Sequence, residues 1–375
     1  MARSRSSSNF IYGLLAIALA VLLVWLWWTS GHPKRPTAKS KVPPPVAAKT
    51  LRPATPGVIV PAIPPAIHPA APPVIPPAVT TSNVPASNAW PRPVQNIFEA
   101  QLVLVGQGIS SGSLDGVTGS QTRAALVAFQ RTEHLPPTGE LDALTREKLQ
   151  LDEPPYTTYT ITSEDLARLQ PIAATWLGKS QQTALDYENI LELVAEKSFA
   201  HPNFLRRLNP GINWTNVMAG TTVQVPNASY PEPDSKAAFI QIHLAGKTLE
   251  AFDADTNLLA HFPCSIARRV EKRPVGELHV AVVAPHPNYT FDPDVFPESP
   301  EAQELKRKLI LPPGPNNPVG VAWIGLDKPG YGIHGTPRPE DVGRTESHGC
   351  FRLANWNAEY LLRLVTVGTP VYVVE

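Results

Sequence analysis

About twenty residues near the C-terminus contain His334, Ser347, His348, Cys350 and Arg352, with Gly335 and Gly349 among them. A thiolate is the reactive form of cysteine, and a free thiol near pKa 8.5 stays mostly protonated at neutral pH unless a base or cation intervenes. A histidine supplies the base, and a serine or a backbone carbonyl can hold that histidine in the useful tautomer. His334 precedes Cys350 by sixteen residues, a separation that a strand, a loop and a return can close. Gly349 lets backbone N–H groups approach a substrate carbonyl, as stabilisation of an oxyanion requires. These residue types are the inventory a thiol nucleophile needs, with Cys350 as the candidate nucleophile and His334 as its candidate base, the other reading of Cys350 being a small buried residue.

The segments around them read as strands. Phe239 to Leu244 alternates, and Thr248 to Phe252 answers it across Ala245-Gly246-Lys247 as a hairpin. Further β-segments are expected at Leu258 to Ile266, Leu278 to Val283, Val319 to Ile324 and Pro370 to Val374, with one helix at Asn355 to Leu364. The insertion from Pro285 to Pro318 interrupts this pattern with a charged helix at Pro300 to Leu309. A loop of that length in a compact domain tends to be a lid or binding element. The histidines His243, His261, His279 and His286 stand without paired ligands and read as structural or solvated, with His286, beside Tyr289, the one placed to touch substrate. No metal or organic cofactor is called for.

The chain has 375 residues, 32 basic against 32 acidic, so the positive footprint of a nucleic-acid binder is missing. Only two cysteines occur, Cys264 and Cys350, too few for a disulfide scaffold. Cys264 lies in the apolar run Phe262-Pro263-Cys264-Ser265-Ile266 and reads as a small buried strand residue. Residues 1–9 are expected to be a cytoplasmic tail. Phe10 to Trp28 carries no charge and is long enough to span a bilayer, with Trp25, Trp27 and Trp28 at its far end, so residues 10–28 are read as an uncleaved transmembrane anchor. Residues 29–94 form a proline-rich linker, with eighteen prolines from Pro33 to Pro93, and its composition suits an extended tether.

Beyond the linker, Ile97, Leu102 and Val105 recur at helical spacing, and Ala125, Leu126 and Phe129 mark a second helix. Together with Gln101-Leu102, Asp115-Gly116, Gly119, Gln130 and Thr138-Gly139-Glu140-Leu141-Asp142, residues 95–151 resemble a peptidoglycan-binding module, which implies a three-helix bundle holding the wall polymer. In residues 156–235, the helical stripe of Ile190, Leu193, Val194 and Ala195 is followed by Leu208-Asn209-Pro210 and by Gly220 to Pro226. This region resembles a LysM repeat in its latter half, which implies either a glycan reader or a packing adapter of small α+β form.

Residues 236–375 resemble the L,D-transpeptidase catalytic domain of the YkuD type. The resemblance rests on His334-Gly335-Thr336, on Ser347-His348-Gly349-Cys350-Phe351-Arg352, on Arg273-Pro274-Val275-Gly276 and on Gly314 to Gly320 leading into Trp323 and Tyr331. It implies a β-rich, mixed β-sandwich-like domain. It also implies that Cys350 is the nucleophile, His334 the proton donor and acceptor, and Ser347, His348 and Gly349 the shapers of the site. Arg352, Tyr331, Trp323, Gly335 and Thr336 would meet substrate, Arg352 as a bidentate carboxylate clamp. Arg273 stands where the family carries threonine. The implied reaction attacks the third residue of a wall tetrapeptide, releases D-alanine and passes the acyl group to a neighbouring stem peptide. Water as acceptor would give an L,D-carboxypeptidase, and a chain without turnover would be a membrane-to-wall tether. The module set implies peptidoglycan as partner and a single-pass inner-membrane protein with its catalytic part in the periplasm.

Overall fold

The computed structural model describes residues 90–295, 299–345, 347 and 349–375. The expected tail and anchor, and the linker as far as residue 89, lie outside the described residues. Among the described residues no helix is long and apolar enough to cross a membrane.

The N-terminal region is helical, with α1 (Ile97–Gly106), α2 (Ser120–Thr132) and the short α3 (Ala143–Lys148). Asn96 and Asp142 cap the first and third by accepting from Glu99 and Thr145 N–H groups, which satisfies donors that a helix start leaves open. Two buried glutamine side chains brace the connecting loops. Gln101 accepts from the Asp115 and Gly116 amides at 3.2 and 2.9 Å, and Gln130 accepts from Gly139 at 2.8 Å.

Residues 156–226 form a small α+β unit. Strand β1 (Tyr156–Thr160) pairs antiparallel with β2 (Thr222–Pro226). Between them run α4 (Ser163–Ala167), α5 (Trp176–Ser180), α6 (Ile190–Lys197) and α7 (Pro202–Leu208). Thr162 and Asp165 cap α4 reciprocally. The apolar face of α6 supplies Ile190, Leu193 and Val194 to the core of this unit.

The C-terminal region is built on one eight-stranded mixed sheet. Its strands are β3 (Phe239–His243), β4 (Thr248–Phe252), β5 (Leu258–Pro263), β6 (Gly276–Pro285), β9 (Ala322–Leu326), β10 (Gly332–His334), β11 (Phe351–Arg352) and β12 (Pro370–Val374). The spatial order is β11-β10-β9-β6-β12-β3-β4-β5. A single sheet thus takes the place of the sandwich-like arrangement expected from sequence. Helix α9 (Asn355–Leu364) packs on it through Ala358, Leu361 and Leu364, which share one core with Ile240, Phe262, Ile324 and Val371. The strand expected from Val319 starts only at Ala322, because Asn317 closes a turn by accepting from Val319 and Gly320 amides at 3.0 and 2.8 Å. The insertion holds β7 (Tyr289–Phe291), α8 (Pro300–Leu305) and β8 (Leu309–Leu311), with β7 and β8 antiparallel. Helix α8 stops short of Leu309 because Lys306 turns left-handed, at φ 47°.

The three regions interlock. Leu185 exchanges backbone hydrogen bonds with Pro313 and Asn316, both 2.9 Å, and a Cβ on Gly314 would stand 2.1 Å from the Leu185 carbonyl oxygen. From one face of α6, Glu192 accepts from Asn316 Nδ2 at 2.6 Å and Glu196 accepts from Asn355 Nδ2 at 2.9 and 3.0 Å. Helix α5 docks on the insertion, where Trp176 stacks on Phe291 at 4.5 Å and the Glu301 carboxylate accepts from the Trp176 and Leu177 amides, both 2.8 Å. On the other side, Ser110 donates to the His261 carbonyl at 2.8 Å and Gln121 reaches the Val342 carbonyl.

Burial raises the Glu196 carboxyl from 4.5 to about 8, and the neighbouring Glu192, Glu340 and Glu359 add to the effect against the Asn355 hydrogen bond. The folded chain therefore holds a proton that the unfolded chain releases between these pH values. The associated stability is fully present below about pH 4.5 and is lost as pH rises through about 8. Relative to Glu196→Gln, the melting temperature of the parent is expected to fall from pH 5 to 8 and to level off above; parallel curves for the two proteins would contradict this.

Candidate active site

The edge of the sheet assembles the site. Strands β10 and β11 pair in parallel, Ile333 with Phe351 and His334 with Arg352. This register sets Cys350, the residue before β11, alongside Gly332, whose backbone hydrogen-bonds the thiol. The Cys350 thiol also lies 3.5 Å from the Gly330 carbonyl oxygen. On its outer side β11 is held by Ser265, through mutual backbone bonds with Arg352 of 2.9 and 3.0 Å. Ser347 is stitched to the same segment, donating its N–H to Ile266 at 2.9 Å and accepting from Arg268 at 3.0 Å.

The Ser347 hydroxyl donates to the Cys350 carbonyl at 2.5 Å and accepts the Gly349 amide at 3.3 Å. It closes the turn that carries the thiol and does not orient the histidine. That task falls to the chain itself, since His334 Nδ1 lies 2.6 Å from the Gly335 carbonyl oxygen. A carbonyl only accepts, so Nδ1 carries the proton and Nε2 is left bare as the basic nitrogen. His348 lies outside the described residues.

The histidine is 5% exposed, and desolvation pushes its pKa down to about 4, with Arg352 adding to the fall and the Gly335 hydrogen bond opposing it. Burial also pushes the Cys350 thiol upward, against the Gly332 backbone and the Arg352 charge. Both groups are therefore uncharged at rest near neutral pH, and charge separates only as the proton moves. Arg352 is itself lowered by burial, and among the described residues no carboxylate pairs with it. It faces a cavity of about 360 Å³ lined also by Ser265, Thr336, Arg338 and, from α5, Trp176 and Lys179. Asp341 is the acid of this lining, 3.9 Å from Arg338. The lining suits a carboxylate-bearing ligand.

The other expected site residues fall into distinct positions. Trp323 pairs with His334 across β9 and β10 and stacks on its ring at 5.6 Å. Tyr331 is partly buried against the core beside Gly349. Thr336 donates its amide to Asn355 Oδ1 at 2.9 Å, and that oxygen stands 2.2 Å from where a Gly335 Cβ would be and 2.0 Å from a Gly320 Cβ. Gly335 is thus required for a close approach as much as for contact with a substrate. His286 does not reach the thiol's surroundings but lines a separate cavity with Arg168, Glu196 and Trp356. Tyr289, its neighbour on the insertion, lies close enough that a Cys350 thiolate helps raise the phenol to about 12, after burial. Sequence reasoning named Tyr289 only as a neighbour of His286; the short β-former run at its position was the available signal.

Both cysteines are free, and Cys264 is fully buried, which pushes its thiol up. His261 and His243 flank Glu250 at 2.9 and 3.4 Å, and His279 binds Asp327 at 3.1 Å. These three histidines are engaged with carboxylates away from the thiol.

Against this geometry stand the likenesses to known proteins. Residues 237–373 match the L,D-transpeptidase catalytic domain family of the YkuD type, and residues 94–149 match the family described as "Putative peptidoglycan binding domain". The chain is 29% identical to "Putative L,D-transpeptidase YkuD" of Bacillus licheniformis over 48% of its own length and 91% of the relative's. It is 30% identical to "Probable L,D-transpeptidase ErfK/SrfK" of Salmonella typhimurium over 44% of its length and 53% of the relative's, so it spans about half of that relative. L,D-transpeptidase 3 from Mycobacterium tuberculosis is similar in structure at a TM-score of 0.29 and 18% identity, over 43% of this chain and 77% of that one, a likeness too slight to add to the sequence matches. Two stretches of the chain are thus similar to known domains, residues 237–373 to the L,D-transpeptidase catalytic domain and residues 94–149 to the putative peptidoglycan-binding domain.

The tautomer and the depressed pKa give a direct expectation for His334. In NMR of ring-labelled protein, Nδ1 should carry the proton and Nε2 should stay unprotonated down to about pH 5, with protonation centred near 4. Protonation near the ordinary 6.5, or a proton on Nε2, would contradict the geometry.

Proposed function

We propose that this protein is a peptidoglycan L,D-transpeptidase that crosslinks stem peptides through a thioester on Cys350. The observation that carries the reading is the parallel β10–β11 register, which sets Cys350, just before β11, opposite Gly332, two residues from His334, inside a domain matching that family.

The Cys350 sulfur attacks the carbonyl of the third residue of a tetrapeptide stem, and His334 Nε2 takes the thiol proton as it does so. Collapse of the tetrahedral species breaks the amide bond to the terminal D-alanine, and the protonated imidazole returns its proton to the departing amine. The thioester is then attacked by the side-chain amine of a second stem, which loses a proton to His334 as the thiol is released. A low-dielectric site that disfavours imidazolium at rest makes His334 a ready proton donor once charged. Arg352, with no carboxylate partner among the described residues, pairs with a substrate carboxylate in the cavity it shares with Lys179. Ser347 and Gly349 hold the thiol's turn, and Trp323, Tyr331, Gly335 and Thr336 wall the approach.

The remaining parts fit the same reading. The match at residues 94–149 supports attachment to wall polymer. The LysM-like unit at 156–226 serves as an adapter that completes the cavity through α5, whether or not it also reads glycan. A membrane anchor at 10–28 and a periplasmic catalytic part complete the proposal, motivated by the uncharged run and its tryptophans.

Incubation of the full-length protein with purified disaccharide-tetrapeptide, read by mass spectrometry, separates the outcomes. Crosslinked dimer with loss of D-alanine is expected. Tripeptide alone would replace the reading with a carboxypeptidase, and co-sedimentation with wall sacculi without turnover would replace it with a tether. Cys350→Ala is expected to lower turnover by at least about 10³-fold, the scale seen when a nucleophile is removed.

A further inference from the structure

The base of the site is braced from outside its own domain. His334 is oriented by the Gly335 carbonyl, and the next amide, that of Thr336, is held by Asn355 Oδ1 at 2.9 Å. Asn355 Oδ1 sits in the gap that Gly320 and Gly335 leave by lacking a Cβ. An amide in such a seat has two orientations, and only one points oxygen at the Thr336 N–H. What selects it is the partner of the other end: Nδ2 donates to both oxygens of Glu196, at 2.9 and 3.0 Å, and approaches the Pro315 carbonyl at 3.3 Å. The Pro315 carbonyl can only accept and the Thr336 N–H can only donate, so the reversed amide would set its oxygen against the Pro315 carbonyl and its NH2 against the Thr336 N–H. Glu196 anchors Nδ2 in the right orientation by accepting from it, with or without its own proton. Asn355 is 1% exposed, and water cannot rescue the wrong orientation.

We propose that Glu196, a residue of the adapter unit, is a positioning residue for His334: it fixes Asn355, which fixes the Gly335–Thr336 backbone that orients the imidazole. This rests on the reading of His334 as the base of Cys350, though not on the identity of the acyl acceptor. The adapter is then part of the catalytic apparatus, and a neutral acceptor is sufficient in its place. Glu192, Glu340 and Glu359 act on Glu196 electrostatically, Tyr187 interacts with it, and Arg168, Asp186, Lys197 and His286 line the same cavity, while Arg352 is the charge acting on His334.

The test uses the full chain and the rate at which iodoacetamide alkylates Cys350, followed by peptide mapping from pH 5 to 9. This reads the thiol–imidazole pair with no wall substrate present, so a failed crosslinking assay leaves it interpretable. Glu196→Ala should slow alkylation at pH 7 by roughly tenfold to a hundredfold, the scale of a misplacement of about 1 Å, and shift the profile towards that of an unassisted thiol. Glu196→Gln, which keeps an acceptor for Asn355, should retain the parent profile. Glu192→Ala removes the other interfacial carboxylate of α6 and should lower the melting temperature without moving the profile. If Glu196→Ala does not fold, Glu196→Asp, whose carboxylate stops one methylene short, takes its place with the same readout. An unchanged profile in the Ala or Asp variant, an equal change in Glu192→Ala, or a Gln variant as slow as the Ala variant would each overturn the proposal.

Discussion

Everything chemical in this molecule depends on two short strands lying side by side in the same direction. β10 and β11 contribute only three and two residues, yet their parallel register is what sets Cys350, just before one strand, opposite Gly332, two residues from His334 at the end of the other. Parallel neighbours need a long crossover between them, and the chain supplies it as the loop from Gly335 to Cys350. That loop is not left to itself. Ser265 to Arg268 holds its far end by backbone bonds, Ser347 ties its last turn, and Asn355 grips its first residues.

A second constraint is dryness. Imidazolium, thiolate and guanidinium are all disfavoured by burial here, and the shifts of His334, Cys350 and Arg352 share that first cause. Cys350 and His334 are both neutral at rest, so charge separates there only as a proton moves. Cys264 is removed from that chemistry altogether by its place in the apolar core.

Much of this was legible in the residues. The alternation from Phe239 to Phe252 announces a hairpin, the stripe in Asn355–Leu364 announces a helix, and His334 and Cys350 stand out as the types that acyl transfer needs. What was not legible came from contacts between distant segments. A strand of two residues carries no period, so β11 cannot be seen before its partner is known. The turn that Ser347 closes was not legible, because a hydroxyl near the cysteine reads equally as a group that holds the histidine. Tyr289 and Trp176 are brought together by an insertion and an excursion of another unit, and neither segment shows this by itself. Glu192 and Glu196, four apart on a helix with Ile190, Leu193 and Val194, were the visible hint: acids spaced to share a face next to buried residues ask for donors elsewhere.

The glycines at the seams carry one more implication. Gly108 would place a Cβ 2.5 Å from the Leu259 carbonyl oxygen, and Gly314 would place one 2.1 Å from that of Leu185, so backbone meets backbone where the regions join. Modules joined this closely do not search space independently as beads on a string would. If residues 94–149 hold the wall polymer as their family implies, the thiol works at a set offset from the point of grip. Such a chain would measure distance along the wall like a ruler.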